Sequence, residues 1–149
     1  MFVYGTLKRD GRYHAYCRGG AMTAEARVRA LLYDLPQGYP AIVVPEETVL
    51  AVGTDDPLAD ARAAKGLTPS DLTESVTPAV YGELYTFDDP EERLPRLDAL
   101  EDFSPGDPSS PYRRVLVPVH PDGGDVTLAW AYAARHPRGT HLPGGRWPA

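Results

Sequence analysis

The sequence predicts an α+β fold: a small, mixed and mostly antiparallel β-barrel, closed or nearly closed, flanked by short helices. Three observations lead to this prediction. Several segments alternate apolar and polar residues, which is typical of strands with one solvated face. Strand-like segments outnumber helix-like ones and follow one another along the chain, as antiparallel neighbours do. The helix-like segments between them are short, and we find no internal repeat.

Length and composition narrow the class of protein. The 149 residues predict one domain spanning residues 1–149, with enough apolar content to bury a core. A net charge of −6 argues against nucleic acid as a partner, since phosphate binding depends on Lys and Arg. A single cysteine, Cys17, excludes an internal disulfide framework and fits a reducing compartment. No apolar run approaches the roughly 20 residues of a membrane span, and no signal-peptide pattern is seen, so we expect a cytoplasmic protein without membrane association.

The first predicted strand is the short apolar run Phe2-Val3-Tyr4, which Gly5-Thr6 ends at once. A strand that stops at a glycine turn presents backbone N–H groups, and such groups suit an anionic or oxyanion-bearing ligand. Taken alone, however, most strand-Gly-Thr segments are only ordinary turns. This heptad is therefore a candidate binding loop whose meaning depends on its neighbours.

Residues 13–17 have the spacing of a short amphipathic helix, ended by Gly19-Gly20. We predict that Tyr13 and Tyr16 face the core, with a position at the rim of a cleft as the alternative. Residues 24–32 then alternate strictly and predict an antiparallel strand whose apolar face is Ala24, Ala26, Val28, Ala30 and Leu32.

A turn at residues 36–38 leads into a second apolar strand that runs to Val44. Tyr39 lies between Gly38 and Pro40, which fix the backbone there and could present its ring to a cleft. Residues 45–78 lack periodicity apart from a possible short helix at 58–65. We interpret them as a loop-rich insertion, a lid or an excursion between strands, because they have too few large apolar residues for a core.

Residues 80–87 predict a strand rich in aromatic and β-branched residues. Glu83 shares one face of it with aromatic side chains, which favours a carboxylate whose hydrogen bonds are satisfied there. Residues 112–119 and 126–132 predict two further strands, joined by a hairpin turn with Asp-Gly chemistry.

The segment "DDPEERLPRLDALEDF" predicts a helix with Asp88 or Asp89 as its cap. Because an interior proline lacks the N–H and clashes one turn back, we expect the regular part to start close to Pro95. In helical projection Leu94, Leu97 and Leu100 form an apolar arc. Glu101 falls inside this arc, whereas Asp98 and Asp102 project outside it. The projection therefore selects Glu101 as a carboxylate that points towards the interior.

Several common catalytic patterns are missing. The four histidines have no metal-ligand spacing, so we expect no metal site. The sequence has no Gly-x-Ser-x-Gly elbow, no evident histidine partner for Cys17, and neither a phosphate-binding nor a dinucleotide-binding glycine pattern. What remains is one inward carboxylate, one glycine turn and several tyrosines.

An ordered set of segments resembles the γ-glutamylcyclotransferase-like superfamily, which includes γ-glutamylamine cyclotransferases, the avirulence-induced-gene-like family and antibiotic-pathway deglutamylating enzymes. These segments are "FVYGTL", "LYDLPQGYPAIV", "VYGELY", "LDALEDF", "YRRVLVPV", "WAYAA" and "GGRW". The resemblance covers most of the chain outside residues 45–78. It implies a small β-barrel with a cavity at one end.

The resemblance also implies an activity. Its substrates are γ-glutamyl amides, and the products are 5-oxoproline and a free amine or amino acid, with no cofactor. The family's catalytic glutamate matches Glu101 here. Its glycine loop matches Tyr4, Gly5, Thr6 and Leu7, and Tyr112 matches a family tyrosine and is an expected cleft hydrogen-bonder.

The chemistry agrees with the residues at hand. The substrate's own α-amine attacks its γ-carbonyl, so no protein nucleophile is needed. We expect Glu101, with a pKa raised by burial, to take the ammonium proton and deliver it to the leaving nitrogen. The N–H groups of Gly5, Thr6 and Leu7 would hold the glutamyl carboxylate or the oxyanion.

Two features depart from the family pattern: Asp102 stands where many members have glycine, and the 45–78 insertion could reshape the substrate entrance. The rival hypotheses are a non-catalytic module that binds a small molecule, and a different amide or ester chemistry that uses the same base. The leaving amine and the oligomeric state are left open by the sequence.

Overall fold

The computed structural model describes residues 1–66 and 76–148. These residues form nine strands and two α-helices, with the helices on either side of the sixth strand, and two short 3-10 helices at His14–Cys17 and Glu46–Thr48. The strands are β1 (Phe2–Val3), β2 (Ala21–Arg29), β3 (Leu31–Asp34), β4 (Pro40–Val43), β5 (Ala51–Val52), β6 (Ala79–Thr86), β7 (Tyr112–Pro121), β8 (Thr127–Ala134) and β9 (Thr140–His141). The helices are α1 (Pro57–Gly66) and α2 (Pro90–Leu100).

The described strands form two antiparallel sheets. The larger sheet has the order β1-β6-β2-β7-β5, with β8 also paired to β7, and the smaller has the order β4-β3-β9. This is the predicted α+β class with antiparallel pairing. The hydrogen-bonded strands do not form a ring within residues 1–66 and 76–148, so the predicted closed barrel is not confirmed.

The predicted strand at 24–32 is two strands in the structure. Its alternation of burial continues without interruption, since Ala26, Val28, Ala30 and Leu32 are all buried. The pairing changes at Ala30, however: β2 pairs with β6 and β7, whereas β3 pairs with β4 and β9. The sheet change therefore leaves no mark on the apolar pattern.

Helix α2 differs from its prediction. It is regular from Pro90 to Leu100, with Pro95 inside it, so the expected start near Pro95 was wrong. Pro95 lies on the exposed side, and the carbonyl of Glu91, which loses its hydrogen bond there, belongs to an exposed residue that water can reach. The first turns are held by the buried Arg93, which pairs with Asp89 and donates to the carbonyl of Tyr16 at 2.7 Å.

The insertion predicted at 45–78 is partly built from regular elements. It contains the Glu46–Thr48 turn, strand β5 on the edge of the large sheet, and helix α1, which contains the helix predicted at 58–65. Helix α1 packs against α2 and β8. Residues 67–75 of this insertion lie outside the described residues.

The core of the described residues comprises three apolar clusters, of which Leu116, Leu128 and Trp130 form the smallest. The two larger clusters lie around the strands and beneath α2. One joins β1, β2, β6, β7 and β8 around Phe2, Val28 and Val117. The other lies under α2 and gathers Leu97, Phe103, Tyr112 and Tyr132 together with Leu7. This second cluster forms the floor of the region described next. Across residues 1–66 and 76–148, no helix combines the length and apolar character required to cross a membrane.

Candidate active site

A cavity of about 200 Å³ lies where the end of β1 meets the end of α2. All the residues that the sequence selected as catalytic or substrate-binding line this cavity, although they come from distant parts of the chain. They are Tyr4, Gly5, Thr6, Leu7, Glu101 and Tyr112. The roles of these residues stay predictions, but their common location makes this cavity the candidate active site.

The turn after β1 is shaped by close packing at Gly5. A Cβ atom placed on Gly5 would lie 2.5 Å from Cγ of Pro40, so even an alanine would clash with a rigid ring. The carbonyl of Gly5 accepts from the N–H of Lys8 at 3.1 Å, and that of Thr6 accepts from the N–H of Tyr13 at 2.9 Å. The carbonyl oxygens of this turn are therefore already used within the protein.

The N–H groups of the same turn are in the opposite state. Among the hydrogen bonds of the described residues, none is donated by the N–H groups of Gly5, Thr6 or Leu7. Backbone N–H groups are strong donors that seek an acceptor. Three free donors at the wall of a cavity are the arrangement expected of a site for a carboxylate or an oxyanion.

Glu83 fixes the loop that follows the turn. Its Oε1 accepts from the backbone N–H of Arg9 at 2.8 Å and from the hydroxyl of Tyr85 at 3.0 Å. The prediction of a satisfied strand carboxylate is thereby confirmed. Because Arg9 lies only two residues beyond Leu7, this carboxylate anchors the turn to β6.

Glu101 terminates α2, and its N–H still bonds to the carbonyl of Leu97 at 3.0 Å. Burial, followed by the charge of the neighbouring Asp102, raises the pKa of its carboxyl from 4.5 to about 7. No hydrogen bond to this carboxylate is found within the described part of the chain. A partly buried carboxyl with this pKa and no partner is suited to exchange protons with a ligand near neutral pH.

Asp102 has a left-handed backbone conformation, with φ of 53°. This conformation favours glycine and is tolerated by aspartate, so Asp102 fits this position. Its side chain is exposed, yet it still raises the pKa of Glu101. Asp102 thus allows the chain to turn and places a charge beside the candidate base.

Two buried tyrosines line the cavity, and their hydroxyl groups are already engaged as donors. The hydroxyl of Tyr4 donates to the carbonyl of Tyr132 at 2.7 Å, and that of Tyr112 donates to the carbonyl of Pro40 at 2.9 Å. Burial raises the pKa of both hydroxyls above 10. Tyr112 can therefore offer a ligand its oxygen as an acceptor, while its proton holds Pro40 against Gly5.

Aromatic residues also line the cavity, and the sequence predicted the position of one of them, Tyr13, incorrectly. Tyr13 is 37% exposed and lines the cavity, so the core-facing prediction was wrong for Tyr13 and its alternative at the rim is correct. Tyr16 packs partly buried against the second cluster. Tyr39 lines the cavity, as the Gly38 and Pro40 flanks suggested.

Sequence reasoning missed Asp98 and Tyr132. Asp98 was projected away from the apolar arc, but it is only 6% exposed and accepts from Nε of Arg114 at 2.8 Å. Its oxygen also accepts from the hydroxyl of Tyr132 at 2.6 Å, and Tyr132 lines the cavity. The projection failed because it counted apolar residues alone, whereas Arg114 supplies a buried polar surface. An arginine within the apolar strand at 112–119 was the available signal.

Comparison with known proteins agrees with this picture. The sequence profile of the family described as "Gamma-glutamyl cyclotransferase, AIG2-like" matches residues 1–55 and 57–149. Among curated proteins, none matches the sequence significantly. The fold is similar to that of YkqA from Bacillus subtilis, with a TM-score of 0.62 and 22% identity over 99% of this chain and 38% of YkqA.

A second similar fold is that of the uncharacterised protein PH0828 from Pyrococcus horikoshii. The TM-score is 0.55, with 20% identity over 99% of this chain and 87% of that one. The chain spans well under half of YkqA, and these two likenesses show the fold alone. The profile match over nearly the whole sequence shows the family: this chain belongs to the AIG2-like γ-glutamyl cyclotransferase family.

Proposed function

We propose that this chain is an enzyme that releases 5-oxoproline from a γ-glutamyl amide. The observation that carries the proposal is the pairing of two unsatisfied groups in one cavity. These are the Glu101 carboxylate, whose pKa is raised to about 7, and the free N–H groups of the glycine turn. One can move a proton, and the other can hold negative charge. Membership of the cyclotransferase family supports the same chemistry.

In the proposed reaction the α-nitrogen of the substrate forms a bond to its own γ-carbonyl carbon, and the amide bond to the leaving nitrogen breaks. Glu101 accepts a proton from the α-ammonium, which frees the lone pair for attack. It then passes a proton to the leaving nitrogen as the tetrahedral intermediate collapses, and it removes the remaining excess proton from the ring nitrogen. The products are 5-oxoproline and an amine, and no protein nucleophile is consumed.

The glycine turn has a complementary role in this proposal. The N–H groups of Gly5, Thr6 and Leu7 bind either the α-carboxylate of the glutamyl group or the oxyanion that develops on the γ-carbonyl. Either contact folds the glutamyl chain for ring closure, and such intramolecular reactions gain up to about 7–11 kcal/mol from proximity. An oxyanion donor of this kind typically contributes about 3–4 kcal/mol.

The size of the cavity favours a small group inside it. At about 200 Å³ it is smaller than pockets that enclose drug-sized ligands, which measure about 300–1,000 Å³. A glutamyl group fits a space of this order, and the leaving amine would then lie towards the mouth, between Tyr13 and Tyr39.

The test is turnover of a panel of γ-glutamyl amino acids, γ-glutamyl amines and γ-glutamyl-ε-lysine, scored for 5-oxoproline. We expect Glu101→Gln to lower kcat by about 10²–10⁴-fold on whichever substrate the wild type uses, the usual contribution of general acid–base catalysis. Glu91→Gln, which neutralises an exposed carboxylate on the same helix, serves as the matched control and should retain activity. Equal rates for Glu101→Gln and wild type would refute the assignment. A γ-glutamyl amide that binds without release of 5-oxoproline would favour the binding module.

A further inference from the structure

Arg114, on β7, is fully buried and makes four hydrogen bonds through its guanidinium group. Nε and Nη2 donate to the two carboxylate oxygens of Asp98 at 2.8 and 3.1 Å. Nη1 donates to Asp60 at 2.9 Å, and Nη2 also donates to the carbonyl of Thr54 at 3.2 Å. A buried cation needs such partners, since an unpaired one would be costly. The guanidinium thus joins α1, α2 and the segment before α1.

The Asp98 carboxylate lies directly behind the candidate site. Asp98 is three residues before Glu101, on the last turn of α2, so a group that holds Asp98 also holds the end of the helix. The same carboxylate accepts from the hydroxyl of Tyr132, whose ring lines the cavity and whose carbonyl accepts from Tyr4. Two walls of the cavity therefore meet at the carboxylate that Arg114 clamps.

The chain before α1 is shaped to admit the guanidinium. A Cβ on Gly53 would lie 2.7 Å from Cζ of Arg114, so this position has room for no side chain while Arg114 occupies its place. Thr54 donates to Asp60 through its N–H at 2.8 Å and its hydroxyl at 2.7 Å, which satisfies the second carboxylate. Part of the segment that the sequence suggested as a lid, residues 53–60, therefore forms a buried polar contact with Arg114.

We propose that Arg114 is a positioning residue for Glu101: by clamping Asp98, and through it Tyr132, it fixes the helix end that places Glu101 at the cavity. The inference rests on the proposed function of Glu101. A lysine cannot replace this arrangement, because its single ammonium lacks the planar fork that binds both oxygens of Asp98 while reaching Asp60.

A displacement of Glu101 would change the distances between its carboxyl and the groups that face it. These groups are Asp102 on its own helix end and the hydroxyl groups of Tyr4 after β1, Tyr112 on β7 and Tyr132 on β8. The charge of Arg114 is already paired with both carboxylate oxygens of Asp98. Arg114 therefore affects Glu101 by holding the end of α2 in place. A loosened helix end would expose Glu101 to water and lower the pKa of its carboxyl.

The experiment compares Arg114→Lys and Tyr132→Phe with wild type, using kcat and KM for 5-oxoproline release and the pKa of Glu101 from carbon-13 NMR titration. The control is Arg113→Lys, the same change at the next residue, whose guanidinium pairs with Glu46 on the other face of β7. A misplacement of about 1 Å at a catalytic group can cost about 10²-fold in rate.

We expect Arg114→Lys to lower kcat by about tenfold to hundredfold with KM changed less than about threefold, since the glycine turn is untouched. Tyr132→Phe should show the same pattern with a smaller loss. In both variants the pKa of Glu101 should fall from about 7 towards 4.5. Arg113→Lys should retain wild-type values.

The inference is overturned if Arg114→Lys and Tyr132→Phe keep the wild-type kcat and the wild-type pKa of Glu101, or if Arg113→Lys reproduces their losses. Should Arg114→Lys fail to fold, Asp98→Asn replaces it, since it weakens the same clamp from the other partner, keeps the side-chain shape and lies outside the cavity lining. If the wild type released no 5-oxoproline from any γ-glutamyl amide, the proposed function would fail. The NMR titration of the variants would still decide whether Arg114 positions Glu101.

Discussion

Glu101 and Asp102 form a pair in which one residue is placed to react and the other tunes it. Glu101 ends α2 at the cavity wall, while Asp102 turns the chain away in a left-handed conformation. Burial accounts for most of the rise in the pKa of Glu101, and the charge of Asp102 adds to it. Changing Asp102 alone should therefore alter the pKa of Glu101 without moving its side chain.

Asp102→Asn is expected to move the acid limb of the pH profile to lower pH. Removing the neighbouring negative charge lowers the pKa of Glu101, so the base remains deprotonated at lower pH. Asparagine tolerates the left-handed conformation, which leaves the backbone unchanged. For an exposed neighbouring charge we expect a shift of roughly half a pH unit in kcat/KM. Asp125→Asn, in the β7–β8 turn, should leave the profile in place, and an unmoved limb in Asp102→Asn would contradict the tuning.

The raised pKa of Glu101 also predicts a pH-dependent stability. The folded carboxyl has a pKa of about 7 against an ordinary 4.5, so the folded state binds the proton more tightly than the unfolded state. The resulting stabilisation is complete below pH 4.5 and is lost as the pH rises through 7. At pH 8 the wild type therefore carries the whole cost of the buried charge.

Glu101→Gln should relieve this cost at pH 8 and have no comparable effect at pH 4.5. Since Glu101 is only partly buried, we expect a gain of roughly 1–2 kcal/mol, or about 3–6 °C in Tm. Thermal unfolding followed by circular dichroism at the two pH values measures it. A Tm difference that is the same at both pH values would show that Glu101 titrates normally.

Asp98 shows where single-residue projection reaches its limit. The projection that directed Glu101 towards the interior placed Asp98 outside the apolar arc, because helical geometry places a side chain without identifying what covers it. The buried surface over Asp98 is the guanidinium of Arg114, which comes from a strand that follows later in the sequence. Such polar burial depends on tertiary pairing and has no local apolar pattern.

At the scale of elements, the alternation of apolar and polar residues predicted which side chains are buried. It did not predict which strands pair. The run at 24–32 has the expected inward face, yet it belongs to two sheets that separate at Ala30. Period two reports which side chains face a core, and it carries no information on the strand that lies alongside. The same limit explains why the antiparallel class was predictable whereas closure of the sheet was not.

Helix α2 shows tertiary contacts that override a local rule. Pro95 removes one hydrogen bond inside the helix, but Arg93 fixes the first turns and Pro95 itself lies in solvent. An interior proline costs up to about 3 kcal/mol, and the packing of Leu94 and Leu97 outweighs it. The regular helix then extends to Leu100, with Glu101 as its C-cap.

Pro95→Ala should accordingly stabilise the protein by roughly 1–2 kcal/mol, because it restores the bond to the Glu91 carbonyl at some cost in unfolded-state entropy. Pro90→Ala is the matched control: proline is favoured at a first helical position, so no gain is expected there. Urea unfolding of both variants provides the measurement. A loss of stability in Pro95→Ala equal to that in Pro90→Ala would mean that the proline is accommodated without cost.

At the scale of the whole molecule, the cavity is assembled from separate parts of the chain. The turn after β1, the start of β4, the end of α2, and strands β7 and β8 each contribute to its walls. Local patterns identified several of these parts one by one, and the resemblance to the cyclotransferase family predicted that they belong together. The segment at 45–66 acts from behind this assembly, through Asp60 and Arg114.

The central claim is that Glu101 transfers protons while the N–H groups of Gly5, Thr6 and Leu7 hold the glutamyl group. A crystal structure of Glu101→Gln with a bound γ-glutamyl amide tests this claim most directly. We predict that the α-nitrogen lies within about 2.6–3.2 Å of the side chain at position 101. A carboxylate or carbonyl oxygen of the glutamyl group should accept from the N–H groups of Gly5, Thr6 or Leu7. A ligand bound with its α-nitrogen turned away from position 101, or bound outside this cavity, would contradict the claim.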